Sequence, residues 1–301
     1  MHPKVGFIGL GEVGSSYAGA LVARGLLQEH VRALYLGSRP GADPLRAARQ
    51  AQRAGVAFYE DPAAFADGLD LIVSAVSPRG AQEVAGAVAG HLTGPQLFLD
   101  VNSVGPKTKE SIAQLLAARG VRMADGAIMG APASSGRITL TVSGPCAAEV
   151  AAMLTPYGAR VDVVGDRVGM AATLKMTRSV VMKGLAMLLI EALSAARKAG
   201  VEQEVLRGLD ESIHQRDFES LVQRFVCGSL QHAGRRVGEM EEVATFLGEL
   251  GVPAEMTRAT QSRLRYLASR DPAWREQPFE RTDLALEALL TDAERGSGHG
   301  A

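Results

Sequence analysis

The chain has 301 residues, of which 47% are hydrophobic and 22% charged, and its formal net charge is −1. This length accommodates two domains, and the balanced charge supplies no bulk positive field for binding nucleic acid. Cys146 and Cys227 lie far apart without CxxC spacing, and the six histidines show no metal-ligand spacing, which argues against a disulfide framework and a metal site.

The amino terminus, MHPKVGFIGLG, has no separate apolar segment of the kind that secretory signals contain. The longest apolar run, GLAMLLI at 184–190, is too short to span a bilayer. We therefore expect a cytoplasmic protein with neither a membrane nor a nucleic-acid partner.

The first 165 residues alternate short apolar runs with segments of helical composition. Strands are predicted over residues 4–9, 31–37, 70–76, 96–101, 121–129, 138–144 and 160–165. Near-continuous apolar strands that alternate with helices predict a doubly wound, mostly parallel α/β sheet over residues 1–165.

Strand signals cease after residue 165. The remaining pattern is helical, beginning with a long segment from about Arg167 to Lys198, so an all-helical domain is predicted over 166–294. The tail RGSGHGA, residues 295–301, is predicted to be disordered.

The first predicted strand runs into a glycine-rich loop, which consists of Gly9, Leu10, Gly11, Glu12, Val13 and Gly14. In this GxGxxG pattern the first glycine permits a tight turn, the second lets the backbone approach a pyrophosphate, and the third lets helix and strand pack closely. The anion would lie on the amides at the helix N-terminus. A strand before the loop and a helix after it predict a dinucleotide-binding Rossmann domain.

The end of the second predicted strand indicates which dinucleotide is bound. NAD enzymes place a carboxylate there for the ribose 2′-hydroxyl, but this strand ends LGSRP, with Ser38 and Arg39. A guanidinium beside a hydroxyl suits a 2′-phosphate, so NADP is predicted over NAD. No second flavin signature supports FAD, and the alternative for Arg39 is a solvated loop arginine.

Short polar residues follow two later strands: Val76 and Ser77 after one, Asn102 and Ser103 after the next. Ligands of open α/β sheets bind at the carboxyl ends of the strands. We therefore expect Val76, Ser77 and Asn102 to contact the cofactor and Ser103 the substrate. Alternatively, the two serines only cap the helices that follow.

A basic cluster lies on one face of the long helix. Lys175, Arg178, Ser179 and Lys183 fall within about 140° of arc, and the same face becomes apolar after Gly184. A merely solvated face would stay polar, so the cluster predicts a cleft. The alternative is an amphipathic helix that enters a core partway along its length.

Four segments of the chain occur in the order and spacing typical of one superfamily: GFIGLGEVG, DVNSVGP, DGAIMGAP and GMAATLKM. In these segments the chain resembles the β-hydroxyacid dehydrogenase and 6-phosphogluconate dehydrogenase superfamily. The resemblance covers the whole chain. KMTRSVVMKGL and RRVGEMEEVA resemble its branch with a phosphogluconate-dehydrogenase-like C-terminal domain of unknown function. The resemblance implies a Rossmann domain followed by an all-helical domain through which homodimers form.

Lys175 matches the catalytic lysine of the superfamily. Hydride transfer from an alcohol carbon also requires removal of the hydroxyl proton, and a partly desolvated lysine, its pKa lowered by burial and by nearby cations, can take it. The resemblance therefore implies NADP-dependent hydride transfer to or from a small anionic hydroxy acid or its keto or aldehyde form. Lys175 would be the general acid/base, and Arg178 and Lys183 in the interdomain cleft would attract the substrate.

The chain departs from the superfamily at two substrate-binding positions. Met129 replaces the serine of the DxPVSGG loop, and Ser179 replaces the asparagine four residues after the lysine. Substrate contacts are therefore expected to differ from those of typical members, with these candidates: Ser103, Met129, Gly130, Arg178, Ser179 and Lys183. An NADPH-dependent imine reductase and a non-catalytic NADP-binding protein stay open as alternatives.

His214, His232 and Arg235 in the helical region are weaker candidates for the site. Each of the two histidines is more readily explained as a surface or core residue than as a ligand.

Overall fold

A computed structural model describes residues 2–37, 43–130, 138–270 and 280–297. Two compact units make up the chain, Met1–Val180 and Val181–Ala301.

The first unit contains an eight-stranded sheet. Its strands are β1 (Val5–Ile8), β2 (Val31–Leu34), β3 (Ala57–Tyr59), β4 (Leu71–Ser74), β5 (Leu97–Asp100), β6 (Arg122–Ile128), β7 (Thr139–Ser143) and β8 (Arg160–Val163). The spatial order is β3-β2-β1-β4-β5-β6-β7-β8. All neighbouring pairs are parallel except β6 and β7, so the predicted doubly wound, mostly parallel sheet is confirmed.

Helices cover both faces of this sheet. They are α1 (Glu12–Ala23), α2 (Pro44–Ala54), α3 (Pro62–Ala66), α4 (Ala81–Ala89), α5 (Pro106–Ala117) and α6 (Ala147–Leu154). Alternate strand residues enter two cores: Phe7 and Val73 belong to one, and Ile8 and Ile72 to the other. Because both faces are buried, these strands read as continuous apolar runs rather than as alternating patterns.

One strand was absent from the sequence prediction. β3 is a three-residue edge strand, Ala57–Tyr59, with no fully buried residue. It lies after the helical segment of α2, and its short run lacks the continuous apolar character by which the central strands are recognised.

The helices after the sheet are α7 (Met170–Ala199), α8 (Glu202–His214), α9 (Phe218–Gln231), α10 (Ala233–Glu249), α11 (Glu255–Ala268) and α12 (Thr282–Ser297). The described residues after 165 contain no strand, so the prediction of an all-helical C-terminal region is confirmed. Small clusters of buried residues join these helices, such as Ala195 of α7 with Leu247, Val252 and Ala254.

The division between the compact units falls inside α7, after Val180, whereas the sequence pattern changes at residue 165. The first turns of α7 belong to the first unit because they are bonded to its sheet, as described below. At the other end, α12 continues to Ser297, so residues 295–297 of the predicted tail are helical. Residues 298–301 lie outside the described part of the chain.

The middle of α7 is apolar and exposed, unlike the buried helix that its composition indicates. Large side chains around its whole circumference are 42–74% exposed: Val180, Val181, Met182, Leu185, Met187, Leu188 and Ile190. By length and composition alone, α7 could cross a membrane, and 11% of its 18-residue apolar window is buried.

Candidate functional site

Four sequence-predicted segments lie at one edge of the sheet. β1, β4, β5 and β6 are adjacent and parallel, so their carboxyl ends meet there. The segments that follow these strands are the glycine loop (residues 9–14), Val76 and Ser77, Asn102 and Ser103, and Met129 and Gly130. Separate motifs of the sequence are therefore brought together where open α/β sheets bind ligands.

The glycine loop is held by close backbone approaches. Gly9 has φ +91°, and a Cβ on it would lie 2.6 Å from the carbonyl oxygen of Ala75. A Cβ on Gly14 would lie 2.0 Å from the carbonyl oxygen of Gly9, so this position also excludes any side chain. A Cβ on Gly11, in contrast, would meet nothing within 4 Å. The loop is tight against β4 on one side and open at its middle glycine.

The start of α1 fits a pyrophosphate. Gly11 is the N-cap, and no side chain caps the helix. The first intrahelical bond is donated by the amide of Ser15 to the carbonyl of Gly11, 3.0 Å away, so the amides of the first turn retain donors for an anion. The first turn of α1 also contains one acidic residue, Glu12, which is exposed at the first helical position.

Asn102 links the ends of β4 and β5. It is 4% exposed, and its Nδ2 donates to Asp100 Oδ2 at 2.7 Å and to Ser74 Oγ at 2.9 Å. Its Oδ1 accepts from the amide of Val76 at 2.6 Å. These internal bonds fix the two loops that follow the strands, and a direct contact of Asn102 with a cofactor stays a prediction.

Lys175 lies at the same edge. Its Nζ is 2.7 Å from the Oγ of Ser103, the exposed residue that follows Asn102. Lys175 itself is half-buried, in the second turn of α7. The lysine singled out by its motif and the serine singled out by its strand end therefore form one pair.

The start of α7 is capped by two side chains of the sheet. Asp125 Oδ2, from β6, accepts hydrogen bonds from the amides of Gly169 at 3.1 Å and Ala172 at 2.9 Å. Ser143 Oγ, from β7, accepts from the amide of Ala171 at 3.0 Å. A carboxylate at a helix N-terminus satisfies free amides and interacts favourably with the helix dipole. The position of Lys175 thus depends on residues inside the sheet.

Lys109, which was not predicted from the sequence, contacts two carboxylates of the strands that support this pair. Its Nζ is 2.6 Å from Asp100 Oδ1 and 3.0 Å from Asp125 Oδ1, and all three side chains are at most 1% exposed. PKTKES reads as the solvated start of α5, but Lys109 shares helical spacing with buried Ile112 and Leu116. Two features of the sequence could have indicated a buried lysine here: this helical spacing, and the aspartate in each of two apolar strands, β5 and β6.

The remaining predicted residues either lie outside the described part of the chain or form no described contact with the Lys175–Ser103 pair. Ser38 and Arg39 lie outside the described residues, as does the segment 131–137 after Gly130. Met129 is half-buried and Gly130 exposed. In α7, Arg178 is exposed and Ser179 half-buried in the first unit, and exposed Lys183 belongs to the second. Their substrate contacts stay predictions.

The weaker candidates form local pairs or none. His214 Nδ1 lies 2.5 Å from Asp210 Oδ1, and Arg235 pairs with Glu239, each between exposed side chains of one helix. His232 is exposed at the junction of α9 and α10. Within the described residues, no group of three or more His, Cys, Asp or Glu could hold a metal ion.

Both cysteines are buried. Burial raises the pKa of Cys146 to about 11 and also raises that of Cys227. Neither thiol is therefore suited to act as a nucleophile near neutral pH.

An uncapped helix N-terminus after a tight glycine turn, at the carboxyl edge of a doubly wound sheet, defines a dinucleotide-binding protein. Residues 4–165 match the family described as the NAD-binding domain of 6-phosphogluconate dehydrogenase, and residues 196–267 match a domain of unknown function, DUF1932. The chain belongs to this 6-phosphogluconate dehydrogenase-like family, which confirms the resemblance seen in its motifs.

Two relatives span nearly the same length. An uncharacterized 28.5 kDa protein of Methanothermus fervidus is 30% identical over 264 residues, which cover 88% of this chain and 98% of the relative. A solved structure of a conserved protein described as structurally similar to 3-hydroxyacid dehydrogenases is 31% identical, with TM-score 0.58, covering 87% of this chain and 96% of that one.

More distant enzymes share the fold. An imine reductase of Myxococcus stipitatus in complex with NAD+ is 19% identical, with TM-score 0.71, covering 89% of this chain and 94% of that one. A reductive aminase of Aspergillus terreus in complex with NADPH is 18% identical, with the same TM-score and coverages. The fold is thus that of NAD(P)-binding oxidoreductases.

Proposed function

We propose that this protein is an NADP-dependent oxidoreductase that acts on a small anionic hydroxy acid or on its keto or aldehyde form, with Lys175 as the general acid/base. One observation carries the proposal. The Lys175 ammonium lies 2.7 Å from the hydroxyl of Ser103, at the sheet edge that also presents the open glycine loop.

The proposed chemistry divides between cofactor and protein. The nicotinamide, when bound, supplies or accepts the hydride. Lys175 removes the hydroxyl proton of the alcohol as a neutral amine, or returns a proton to the carbonyl oxygen as an ammonium, and the Ser103 hydroxyl orients its Nζ. The amides at the start of α1 hold the pyrophosphate. Each protein group thus binds, orients or moves a proton.

The choice of NADP rests on the LGSRP segment. Arg39 offers a planar, permanently charged fork for a 2′-phosphate, and Ser38 adds a hydroxyl donor. No carboxylate stands in this segment to accept a ribose 2′-hydroxyl, as an NAD site requires.

The choice of an anionic substrate rests on cations near Lys175 in sequence. Arg178 lies on its helix face, three residues further on, and Lys183 continues that face. Met129, at the end of β6, offers an apolar surface where superfamily members have a hydroxyl. We therefore expect a substrate whose carboxylate is bound by Arg178 and Lys183 and whose apolar substituent contacts Met129.

The cofactor proposal is tested by fluorescence titration with NADPH and, separately, with NADH. Tighter binding of NADPH is expected, and Arg39→Ala should remove the preference while leaving NADH affinity unchanged. Arg46→Ala, an exposed arginine on neighbouring α2, is the matched control. Tighter binding of NADH would overturn the choice of NADP, and binding of neither would overturn the enzyme proposal.

The reaction is tested with a panel of hydroxy acids, keto acids and cyclic imines. Turnover of a hydroxy or keto acid that Lys175→Ala abolishes while cofactor affinity persists is the expected result. Turnover of imines alone would identify an imine reductase. Cofactor binding without any turnover in the panel would identify a non-catalytic binding protein.

We also propose a homodimer in which a second copy covers the middle of α7. Exposed apolar residues occur on all faces of α7 between Val180 and Ile190. A helical segment that is apolar on all faces is normally buried. The helix is bonded to protein at both ends, through the capping by Asp125 and through Glu191, which accepts from the amides of Met256 and Thr257. The uncovered stretch is therefore about 16 Å long, half of what a bilayer core requires.

A further inference from the structure

One buried ammonium joins the two segments that carry the Lys175–Ser103 pair. Nζ of Lys109 lies 2.6 Å from both the carbonyl and Oδ1 of Asp100, 3.0 Å from Asp125 Oδ1 and 3.3 Å from the carbonyl of Gly126. The two Asp100 oxygens and the Gly126 carbonyl accept the three ammonium protons, and Asp125 Oδ1 faces the charge as an ion-pair partner without a hydrogen bond. Lys109 therefore has no proton to offer a substrate.

Asp100 connects Lys109 to the loop of Ser103. Its Oδ1 accepts from the amide of Asn102 at 3.0 Å, and its Oδ2 accepts from Asn102 Nδ2 at 2.7 Å. Ser103 is the next residue. The backbone that presents the serine hydroxyl is therefore fixed through a carboxylate that Lys109 holds.

Asp125 connects Lys109 to the helix of Lys175. One of its oxygens faces Lys109, and the other accepts from the amides of Gly169 and Ala172. Lys175 follows Ala172 by three residues, less than one helical turn. The direction in which α7 leaves the sheet is therefore fixed through the second carboxylate.

We propose that Lys109 is a positioning residue for the acid/base pair, one that holds both carboxylates and so sets the distance between Lys175 Nζ and Ser103 Oγ. This inference rests on the proposed function of Lys175. Without Lys109, two buried carboxylates would face each other with no cation between them, and such uncompensated charges force the surroundings to rearrange. The loop and the helix would then lose their common anchor.

The test compares three variants with the native protein. Lys109→Met removes the ammonium and keeps an unbranched apolar chain of similar length. Asp125→Asn keeps the shape of the carboxylate but removes its charge, and it decides the question if Lys109→Met does not fold. Lys107→Met, at an exposed lysine on the same helix, is the matched control.

The first readout needs neither cofactor nor turnover. Lysines are labelled by reductive ¹³C-methylation, and the Lys175 signal is assigned by its loss in Lys175→Arg. We expect the native signal to be resolved from those of exposed lysines, and to move towards them in Lys109→Met and Asp125→Asn but not in Lys107→Met. A Lys175 signal that stays in place in a folded Lys109→Met or Asp125→Asn protein overturns the inference.

The second readout separates positioning from general loss of structure. In folded Lys109→Met, kcat should fall about 10- to 100-fold, the scale of a misplacement near 1 Å, whereas NADPH affinity should not change. A fall in NADPH affinity with unchanged kcat would contradict positioning. If Lys175→Ala itself retains turnover, the proposed function fails, and the methyl signal still reports whether Lys109 positions Lys175.

Discussion

The ammonium of Lys175 lies 2.7 Å from the hydroxyl of Ser103, although 72 positions separate the two residues in the chain. The pair exists because α5 and α7 both begin at the carboxyl edge of the sheet, the first after β5 and the second over β6 and β7. A serine beside a lysine restricts the directions in which the ammonium can donate, and in the proposed mechanism this directs one of its protons towards a bound substrate.

We predict that Ser103→Ala lowers kcat about tenfold and leaves NADPH affinity unchanged. In the proposed mechanism the serine hydroxyl orients the general acid/base, and loss of one orienting bond costs about 1–2 kcal/mol in the transition state. Steady-state kinetics with the identified substrate, together with cofactor titration, measure the two quantities.

Ser111→Ala is the control for Ser103→Ala, because Ser111 Oγ donates only to the Lys107 carbonyl of its own helix, 3.0 Å away. Its kcat should equal that of the native protein. Equal losses in the two variants would show that the contact with Lys175 has no special role in the reaction.

We predict that Glu12→Gln tightens NADPH binding two- to fivefold. Glu12 is exposed at the first helical position of α1, where its carboxylate interacts with the same helix dipole that would hold the pyrophosphate and repels that anion. Such terms amount to about 0.3–1 kcal/mol at low ionic strength and are screened by salt.

Cofactor titrations at low and high salt measure this repulsion. The advantage of Glu12→Gln should shrink as salt is added, and Glu29→Gln, an exposed glutamate elsewhere in the first unit, should show no advantage at all. Weaker binding by Glu12→Gln at low salt would mean that the carboxylate assists the cofactor.

We predict that Glu191→Gln lowers the free energy of unfolding by about 1 kcal/mol at neutral pH, the typical contribution of a helix cap. Glu191 accepts from the amides of Met256 and Thr257, both at 2.9 Å, and from the Thr257 hydroxyl at 2.6 Å. Partial burial opposes its charge, but these hydrogen bonds outweigh burial and hold its pKa below the ordinary 4.5.

The pH dependence of this contribution follows from the lowered pKa. The stabilisation is fully present above the unfolded pKa near 4.5 and is lost as the pH falls through the lower folded pKa. Urea titrations should therefore show a difference between native and Glu191→Gln proteins that disappears in acid. A constant difference would contradict the linkage, and exposed Glu249→Gln should show none.

The sheet was predictable because its central strands are buried on both faces. Continuous apolar runs such as LIVS and LFLD admit few other interpretations, whereas β3, half-exposed at the edge, has no such run. The glycine loop was predictable for a steric reason, since Gly14 tolerates no side chain against the carbonyl of Gly9.

The support of the site was not predictable to the same extent. Lys175 and Ser103 were each identified by a motif or a strand end, but their contact depends on the tertiary arrangement. Lys109 belongs to a charged segment that is equally compatible with a solvent-exposed helix. Its burial is explained by its ion pairs with buried Asp100 and Asp125. A charged residue gains this kind of role from partners that are distant in sequence, so local patterns understate it.

We predict that Ile190→Glu, alone or with Val180→Glu, converts the proposed homodimer to a monomer. These side chains are 60% and 74% exposed in the single chain, on the apolar stretch of α7. A carboxylate buried there against a second copy would lack a partner, and such burial costs several kcal/mol.

Light scattering coupled to gel filtration measures the mass of native and variant proteins across a dilution series. Phe218→Glu is the matched control, because Phe218 is 73% exposed but lies on α9 rather than on α7. The native protein and Phe218→Glu should have twice the chain mass of 31.6 kDa, and Ile190→Glu the mass of one chain. A monomeric native protein at every concentration would refute the dimer, and a dimer that survives both glutamates would place its interface elsewhere.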